Sequence, residues 1–525
     1  MKNITVLYAA FETDRPFEKS FDSLCAFEKA LQWAYSLEDS VKTVILTDSK
    51  NSARIKDFAD SSKTIIVEKE NWTNVLVACS IATACKANDA DFAVIAWGDN
   101  PFLNKSLTEE IIKNHVEYRA EYTFADGFAD GFAPVAVDTG AASIIASLAE
   151  SSQKAAGEKP FSRDGLFEIM SGDINSFEIE TVLADKDYRM LRFNFECTTK
   201  AGLKLCTRLF DEAKQQKIGF SSADFDVYKL SDLAESLSCM QQSLPSYYNV
   251  QISNSYNTKS LYNPYGKLFA GKNLPEMKLE DFKVLVKKIC DFSAEAVVGL
   301  SLFGEPCLNA QFADFCLEVL KNPSLKLFVE TDGLNFSQTD AEKIAGAAGC
   351  ATRVDFAVQL DAVDEAMYEK INGIAGENYK KAVETVLMLN RIFPGQVYPQ
   401  FTRMKANENQ LEQFYRLWKE KQNGSDGQLL ITKYDSLAGL LSNEKPADLS
   451  PLERNACWHI RRDFNILSDG SVPLCRTRAD EIAGNAFTES LEEIWKKIER
   501  EVQNHIEKKY CKRCLACDEY YTFNF

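Results

Sequence analysis

AVVGLSLFG (296–304), AQFADFCLEVLK (310–321) and LKLFVETDG (325–333) follow one another with only short gaps between them. The outer two are runs of Val, Leu and Phe that end on Gly or Asp-Gly. Continuous apolar runs of this length suit strands buried on both faces of a parallel sheet. The middle segment places Phe312, Phe315, Cys316 and Val319 on one helical face, the pattern of a helix laid against such a sheet. Working outward, YYNVQIS (247–253), RVDFAVQLDA (353–362), QVYPQFTRM (396–404) and QLLITKYD (428–435) read as further strands. LEDFKVLVKKICDFS (279–293), DAEKIAGAAG (340–349), NYKKAVETVLMLNRIF (378–393) and ENQLEQFYRLWKEK (408–421) read as the helices between them. Six βα units joined by right-handed crossovers make an open six-stranded partial barrel, with its functional edge at the carboxyl ends of the strands.

The first 205 residues alternate in the same way. ITVLYAAF (4–11), KTVILTDS (42–49), KTIIVEKE (63–70) and DFAVIAWGD (91–99) are strand-like, with amphipathic segments at 24–37, 74–88 and 106–120. This predicts an α/β domain with a mainly parallel sheet, whose ligand site lies where the strands end. Asp99 stands at such an end, and ADGFADGFAP (125–134) supplies a glycine-punctuated loop nearby. Residues 206–246 read as a helical connector closed by Pro245.

Composition narrows the function classes. With 45% hydrophobic and 26% charged residues the chain is globular, and its net charge of −17 argues against nucleic acid or an anionic membrane as partner. The opening MKNITVLYAAFETDRP has too short an apolar run for a secretion signal, and no stretch approaches the roughly 20 apolar residues of a membrane span. A reducing cytoplasm is the expected compartment. Three histidines give histidine-based catalysis little material.

Cysteine is concentrated at the other end. Five of the fifteen cysteines fall between Cys457 and Cys517, in ACWHIRRDFNILSDGSVPLC (456–475) and CKRCLAC (511–517). Cys511, Cys514 and Cys517 form two overlapping C-x-x-C units, a spacing that lets two thiolates reach one metal. Asp469-Gly470 is a strong turn signal that brings Cys457 and Cys475 together. The set reads as a metal site. Spacing alone leaves an iron–sulfur cluster and four-cysteine zinc both open.

Two resemblances attach to these residues. The first domain resembles the cytidylyl-sugar nucleotidyltransferases, a Rossmann-like (GT-A-like) fold. Gly98-Asp99-Asn100-Pro101 matches their strand-ending motif, where the aspartate holds a divalent metal, and Arg15 and Lys19 keep the spacing of their triphosphate-binding pair. Their glycine-rich loop is missing here, and Glu12, Asp14 and Glu18 crowd the basic pair. The rest resembles the radical SAM fold followed by a SPASM-type domain in its one-cluster form. LFGEP (302–306), ETDG (330–333) and QLDA (359–362) stand at the matching strand ends. The resemblance gives Gly304 and Glu305 the amino group of S-adenosylmethionine, and Gln359 and Asp361 its ribose and methionyl part. It also implies a [4Fe–4S] cluster on Cys457, Cys475, Cys511 and Cys514, with Cys517 as extra or alternative ligand.

One departure is decisive. Tyr256, Ser260 and Asn263 occupy the places of the three cysteines that hold the family's catalytic cluster. A phenol, a hydroxyl and an amide do not replace three thiolates. In domain order the chain resembles the spirochaete-type SPASM proteins. The expected layout is a nucleotidyltransferase-like domain (1–205), the connector (206–246), a radical SAM-like partial barrel (247–445) and a small cysteine-rich SPASM-type domain (446–525). The function this implies is iron–sulfur binding without radical catalysis, serving a peptide or protein partner or electron transfer, with no catalytic residues assigned. Two alternatives stand: a CTP-dependent nucleotidyltransferase with the C-terminal half as docking module, and an active radical SAM peptide-modifying enzyme.

Overall fold

The computed structural model describes residues 1–156, 160–219, 223–269, 274–347, 349, 352–420, 424–448 and 450–521. The chain divides into two compact units, Met1–Gln241 and Gln242–Phe525.

The first unit is built on a seven-stranded sheet. Its strands are β1 (Asn3–Tyr8), β2 (Ser40–Thr47), β3 (Thr64–Glu68), β4 (Phe92–Trp97), β5 (Tyr122–Asp126), β6 (Val135–Asp138) and β7 (Ile179–Leu183), in the spatial order β3-β2-β1-β4-β6-β5-β7. The first four positions are parallel. β6 runs antiparallel to both β4 and β5. Side chains of β1, β2 and β4 are buried on both faces, so the sheet separates two cores. One of these takes in the helices Lys200–Gln215 and Val227–Ser236, whose Leu205, Leu209, Phe210, Leu230 and Leu233 pack with Phe21, Phe102 and Phe195. The helical segment after residue 200 is therefore core material of this unit.

The second unit carries β8 (Tyr247–Val250), β9 (Ala296–Gly299), β10 (Leu325–Thr331), β11 (Val354–Gln359), β12 (Val397–Arg403) and β13 (Leu430–Lys433) in sequential order, each parallel to the next. The sequence leads to six strands; the sheet has seven. β14 (Asp463–Ile466), from the cysteine-rich segment, pairs in parallel with β8 from Asp463↔Tyr247 to Ile466↔Val250. Sequence periodicity could not show this, because a four-residue DFNI run carries no sign of its partner. Gly470, at φ +83°, then turns the chain into β15 (Ser471–Pro473), which pairs antiparallel with β16 (Ile482–Asn485). The flanks of the turn thus belong to different sheets.

Helix Leu491–Ile506 closes this arrangement. Ile494, Trp495, Ile498 and Val502 are buried against the sheet, with Trp495 stacked on Phe464 of β14 at 5.8 Å. Lys288 donates to the carbonyls of Ala486, Phe487 and Glu489 at 2.8–3.3 Å, pinning the segment before that helix to helix Leu279–Ser293. Because the cysteine region shares its core with the sheet, Trp495→Ala is expected to destabilise the whole second unit by about 3–5 kcal/mol. Denaturant unfolding should show its transition shifted as one; a separate early transition confined to the C-terminal segment would contradict the shared core.

Candidate functional site

Four elements carry the cysteines. Cys457 precedes helix Trp458–Arg462 and donates its N–H to Nδ1 of His505, on the long helix, at 3.3 Å. Cys475 leaves β15 at the start of the turn Arg476–Arg478. Cys511 caps the short helix Lys512–Ala516, its sulfur accepting the N–H of Cys514 at 3.4 Å. Cys517 ends that helix and accepts the N–H of Glu519 at 3.4 Å. His459 is bound to Asp463 at 2.6 Å, outside the sulfur set.

The thiols influence one another. Burial pushes Cys457 up to about 12, with Cys517 and Cys514 adding to the shift. Cys475 is raised well above the ordinary thiol range by burial, then by Cys457, Cys517 and Cys514. Cys514 is raised to about 12 by burial and by Cys511. Cys457, Cys475, Cys514 and Cys517 thus act on one another electrostatically, and Cys511, the helix cap, acts on Cys514 and on Arg478. Arg478, buried and paired with Glu481 and Glu501, points one nitrogen at the Cys514 sulfur from 3.9 Å. Arg454 stacks on Tyr510 and Tyr520 and donates to the carbonyl of Cys517. Among the described residues no three cysteine sulfurs lie within 4.8 Å of one another.

The positions matched to S-adenosylmethionine are taken up by the protein itself. Gly304 has φ +85°, and a Cβ there would sit 2.0 Å from the Ser253 carbonyl, so only glycine fits. Glu305 is buried. Its Oε1 accepts from the Thr331 hydroxyl (2.7 Å) and the Cys307 N–H (3.1 Å), and its Oε2 from the Asp332 N–H (2.8 Å). Burial and the neighbouring Asp332 raise it to about 8. Asp361 is fully buried, with φ +58°. It accepts from the Tyr262 hydroxyl at 2.6 Å and the Thr402 N–H at 2.5 Å. Tyr262 also donates to Gln359, whose amide binds Glu330 at 2.7 Å. Tyr262 lies in the loop that carries Tyr256, Ser260 and Asn263, and it occupies both strand-end partners at once. Tyr256, Ser260 and Asn263 offer no thiolate to hold a catalytic cluster, so the residues present do not fit that centre, while the hydroxyl of Tyr368 stays buried without a partner among the described residues.

In the first unit Asp99 is buried at the end of β4, but its partner is a cation of the chain. Arg163 donates to both its oxygens (2.9 and 2.7 Å), pairs with Glu196 at 2.5 Å, and lies over Trp97. Phe161 stacks on the same indole at 5.3 Å. Lys19 is engaged by Glu28, and Arg15 by the carbonyl of Thr198 at 2.9 Å. Asp99, Arg15 and Lys19 thus each have separate partners. Sequence reasoning missed Arg163, Tyr262, Arg476 and Arg478. Of these only the last two carried a signal, flanking Thr477 directly after Cys475.

Residues 457–518 match the SPASM family, described as an iron–sulfur cluster-binding domain. An uncharacterised protein of Treponema pallidum is 35% identical over 370 residues, covering 69% of this chain and 98% of that protein. Among solved structures, a cytidylyltransferase from Leptospira borgpetersenii aligns at 14% identity over 44% of this chain and 93% of its own, with a TM-score of 0.36. Streptococcus suis SuiB bound to precursor peptide SuiA aligns at 12% over 76% and 93%, with a TM-score of 0.41. Neither likeness is close enough to transfer a ligand or an activity. Among the described residues no helix is long and apolar enough to cross a membrane.

Asp361 gives a pH test of the filled pocket. Burial raises its carboxyl from 3.8 to about 6. The folded state therefore holds a proton that the unfolded state releases, and stability falls as pH rises between about 4 and 6. The loss across that window is roughly 3 kcal/mol. Denaturant titrations across this range should show that slope, and Asp361→Asn, which tolerates the same backbone angle, should reduce it to the part that the raised Glu305 carboxyl contributes.

Proposed function

We propose that this chain, which belongs to one family with the Treponema pallidum protein, is an iron–sulfur protein that performs no radical chemistry on S-adenosylmethionine. It holds one [4Fe–4S] cluster and serves a peptide or protein partner, or passes electrons. The observation that carries this reading is the match of residues 457–518 to an iron–sulfur cluster-binding domain, within which Cys457, Cys475, Cys514 and Cys517 act on one another electrostatically. These four are assigned as ligands, with Cys511 left as the cap of the helix that presents Cys514. The match to an iron–sulfur cluster-binding domain supports a cluster over zinc.

The chain's own groups prepare the site. Burial keeps the thiols protonated until metal arrives, so loading releases protons and strengthens with pH. Arg478 offers positive charge to the Cys514 sulfur, and the aromatic layer of Tyr510 and Tyr520 holds Arg454 beside Cys517. A [4Fe–4S] centre supplies one-electron exchange when bound. At the sheet edge, Tyr262 and the donors on Glu305 support the absence of radical catalysis. In the first unit, a guanidinium seated on Asp99 weighs against a divalent metal there, and so against nucleotidyl transfer.

Anaerobic reconstitution should give about four irons and four sulfides per chain. Cys475→Ala and Cys517→Ala should abolish incorporation, while Cys511→Ala should retain most of it. Stoichiometric zinc without sulfide would sink the cluster assignment. The reconstituted protein with S-adenosylmethionine and a strong reductant should yield no 5′-deoxyadenosine above the blank. With CTP, Mg²⁺ and sugar phosphates it should release no pyrophosphate.

A further inference from the structure

The guanidinium of Arg478 is buried, its side chain only 6% exposed, and it is gripped on two edges. Nε donates to Glu481 Oε1 at 2.9 Å, and Nη2 donates to Oε2 of the same carboxylate at 2.5 Å. Nη1 donates to Glu501, on the long helix, at 2.8 Å. A guanidinium is planar and carries its five N–H groups in a fixed fork. Two carboxylates on two edges therefore fix where the remaining N–H groups aim. The same Nη1 donates toward the sulfur of Cys514, 3.9 Å away.

The elements that bring these groups together are fastened independently of that contact. Arg513, beside Cys514 on the short helix, donates to Asp480 at 2.8 Å, two residues after Arg478. One turn beyond Glu501, His505 accepts the N–H of Cys457 at 3.3 Å. Turn, short helix and long helix are thus tied to one another around the Cys514 sulfur. Arg478 already has three bonds to carboxylates, so it does not need the sulfur to be satisfied. What the fourth contact adds lies on the side of the sulfur.

A ligating thiolate carries negative charge, and each added electron raises the negative charge that its surroundings must hold. Hydrogen bonds to the sulfurs and the local net charge are among the quantities that set iron–sulfur potentials. A charged donor on a ligand sulfur favours the reduced form, and carboxylates close behind it oppose that effect. We propose that Arg478, through Cys514, raises the reduction potential of the cysteine centre, with Glu481 and Glu501 limiting the rise. This rests on a [4Fe–4S] cluster held by Cys514. Arg478 is a positioning residue, acting through that ligand and not on the iron itself.

The test is a reductive titration of the full, anaerobically reconstituted chain with dithionite and redox mediators, followed by EPR. Iron and sulfide are measured on the same samples. Arg478→Gln should disfavour the reduced form tenfold or more, which is about 59 mV for one electron. Arg478→Lys, which keeps the charge but loses the fork, should fall between this variant and the wild type. Glu481→Gln removes an opposing charge from a side chain that is 41% exposed, and should move the potential the other way. A purely structural role would loosen the turn in both variants and give no such reversal of sign. If Arg478→Gln takes up no iron, Arg478→Lys and Glu481→Gln decide the matter. An unmoved potential in the cluster-bearing variants would overturn the proposal, as would a fall in both Arg478→Lys and Glu481→Gln. A wild-type chain that takes up neither iron nor sulfide would remove the cluster and this inference together, whereas four irons with an unmoved potential would remove this inference alone.

Discussion

The parallel pairing of Asp463–Ile466 with Tyr247–Val250 is the constraint on which the second unit depends. A parallel strand buried on both faces must be covered on each, and here the cover is the chain that follows it. Phe464 and Ile466 enter the sheet's own core, and Trp495 and Ile498 close over them. Once β14 is seated, the turn at Gly470 and the long helix have fixed starting points. Cys457 lies just before this strand and Cys475 nine residues after its end, so the sheet sets the position of both. The ladder β8–β14 thus does for the cysteines what a rigid scaffold does for any metal site: it holds the ligands in place before the metal comes.

At the carboxyl edge of the same sheet the chain's own groups satisfy one another. Gly304 keeps its positive φ because the Ser253 carbonyl leaves no room for a side chain. Glu305 and Asp361 remain buried, which they can because their oxygens are matched by N–H and O–H groups of the chain. Tyr262 is the residue that completes this. A phenol reaching Asp361 and Gln359 together joins two strand-end groups into one network. The same logic holds in the first unit, where the planar fork of Arg163 meets both oxygens of Asp99, as guanidinium geometry favours.

The C-terminal tail is tied down electrostatically. Lys433 on β13 binds Asp518 at 3.1 Å and Glu519 at 2.6 Å, and Lys445 binds Asp518 as well. Those acids directly follow Cys517, so the last ligand is presented from a tail fastened to the far edge of the sheet. Single exposed pairs contribute little, but a partly buried network that fixes register contributes more. A cysteine site whose ligands come from both edges of one sheet cannot assemble before the sheet does.

By itself the sequence determined the βα succession, the strand ends at Thr331 and Gln359, the missing thiolates at Tyr256, Ser260 and Asn263, and the metal-binding character of the cysteine tail. Each of these is local: hydrophobic period, turn chemistry and ligand type are written in neighbouring residues. Only the tertiary structure decided that DFNI is a strand of the main sheet, that Tyr262 binds Asp361 and Gln359, that Arg163 sits on Asp99, and that Arg476 finds no partner among the described residues. These depend on which distant groups meet. A four-residue run, a loop tyrosine or a lone arginine reads the same in sequence whether it faces water or a buried carboxylate. Cys517 makes the point most directly. The two overlapping C-x-x-C units are equivalent as spacing, and only the folding of Lys512–Ala516 into a helix tells them apart, with Cys511 at its cap and Cys517 at its end.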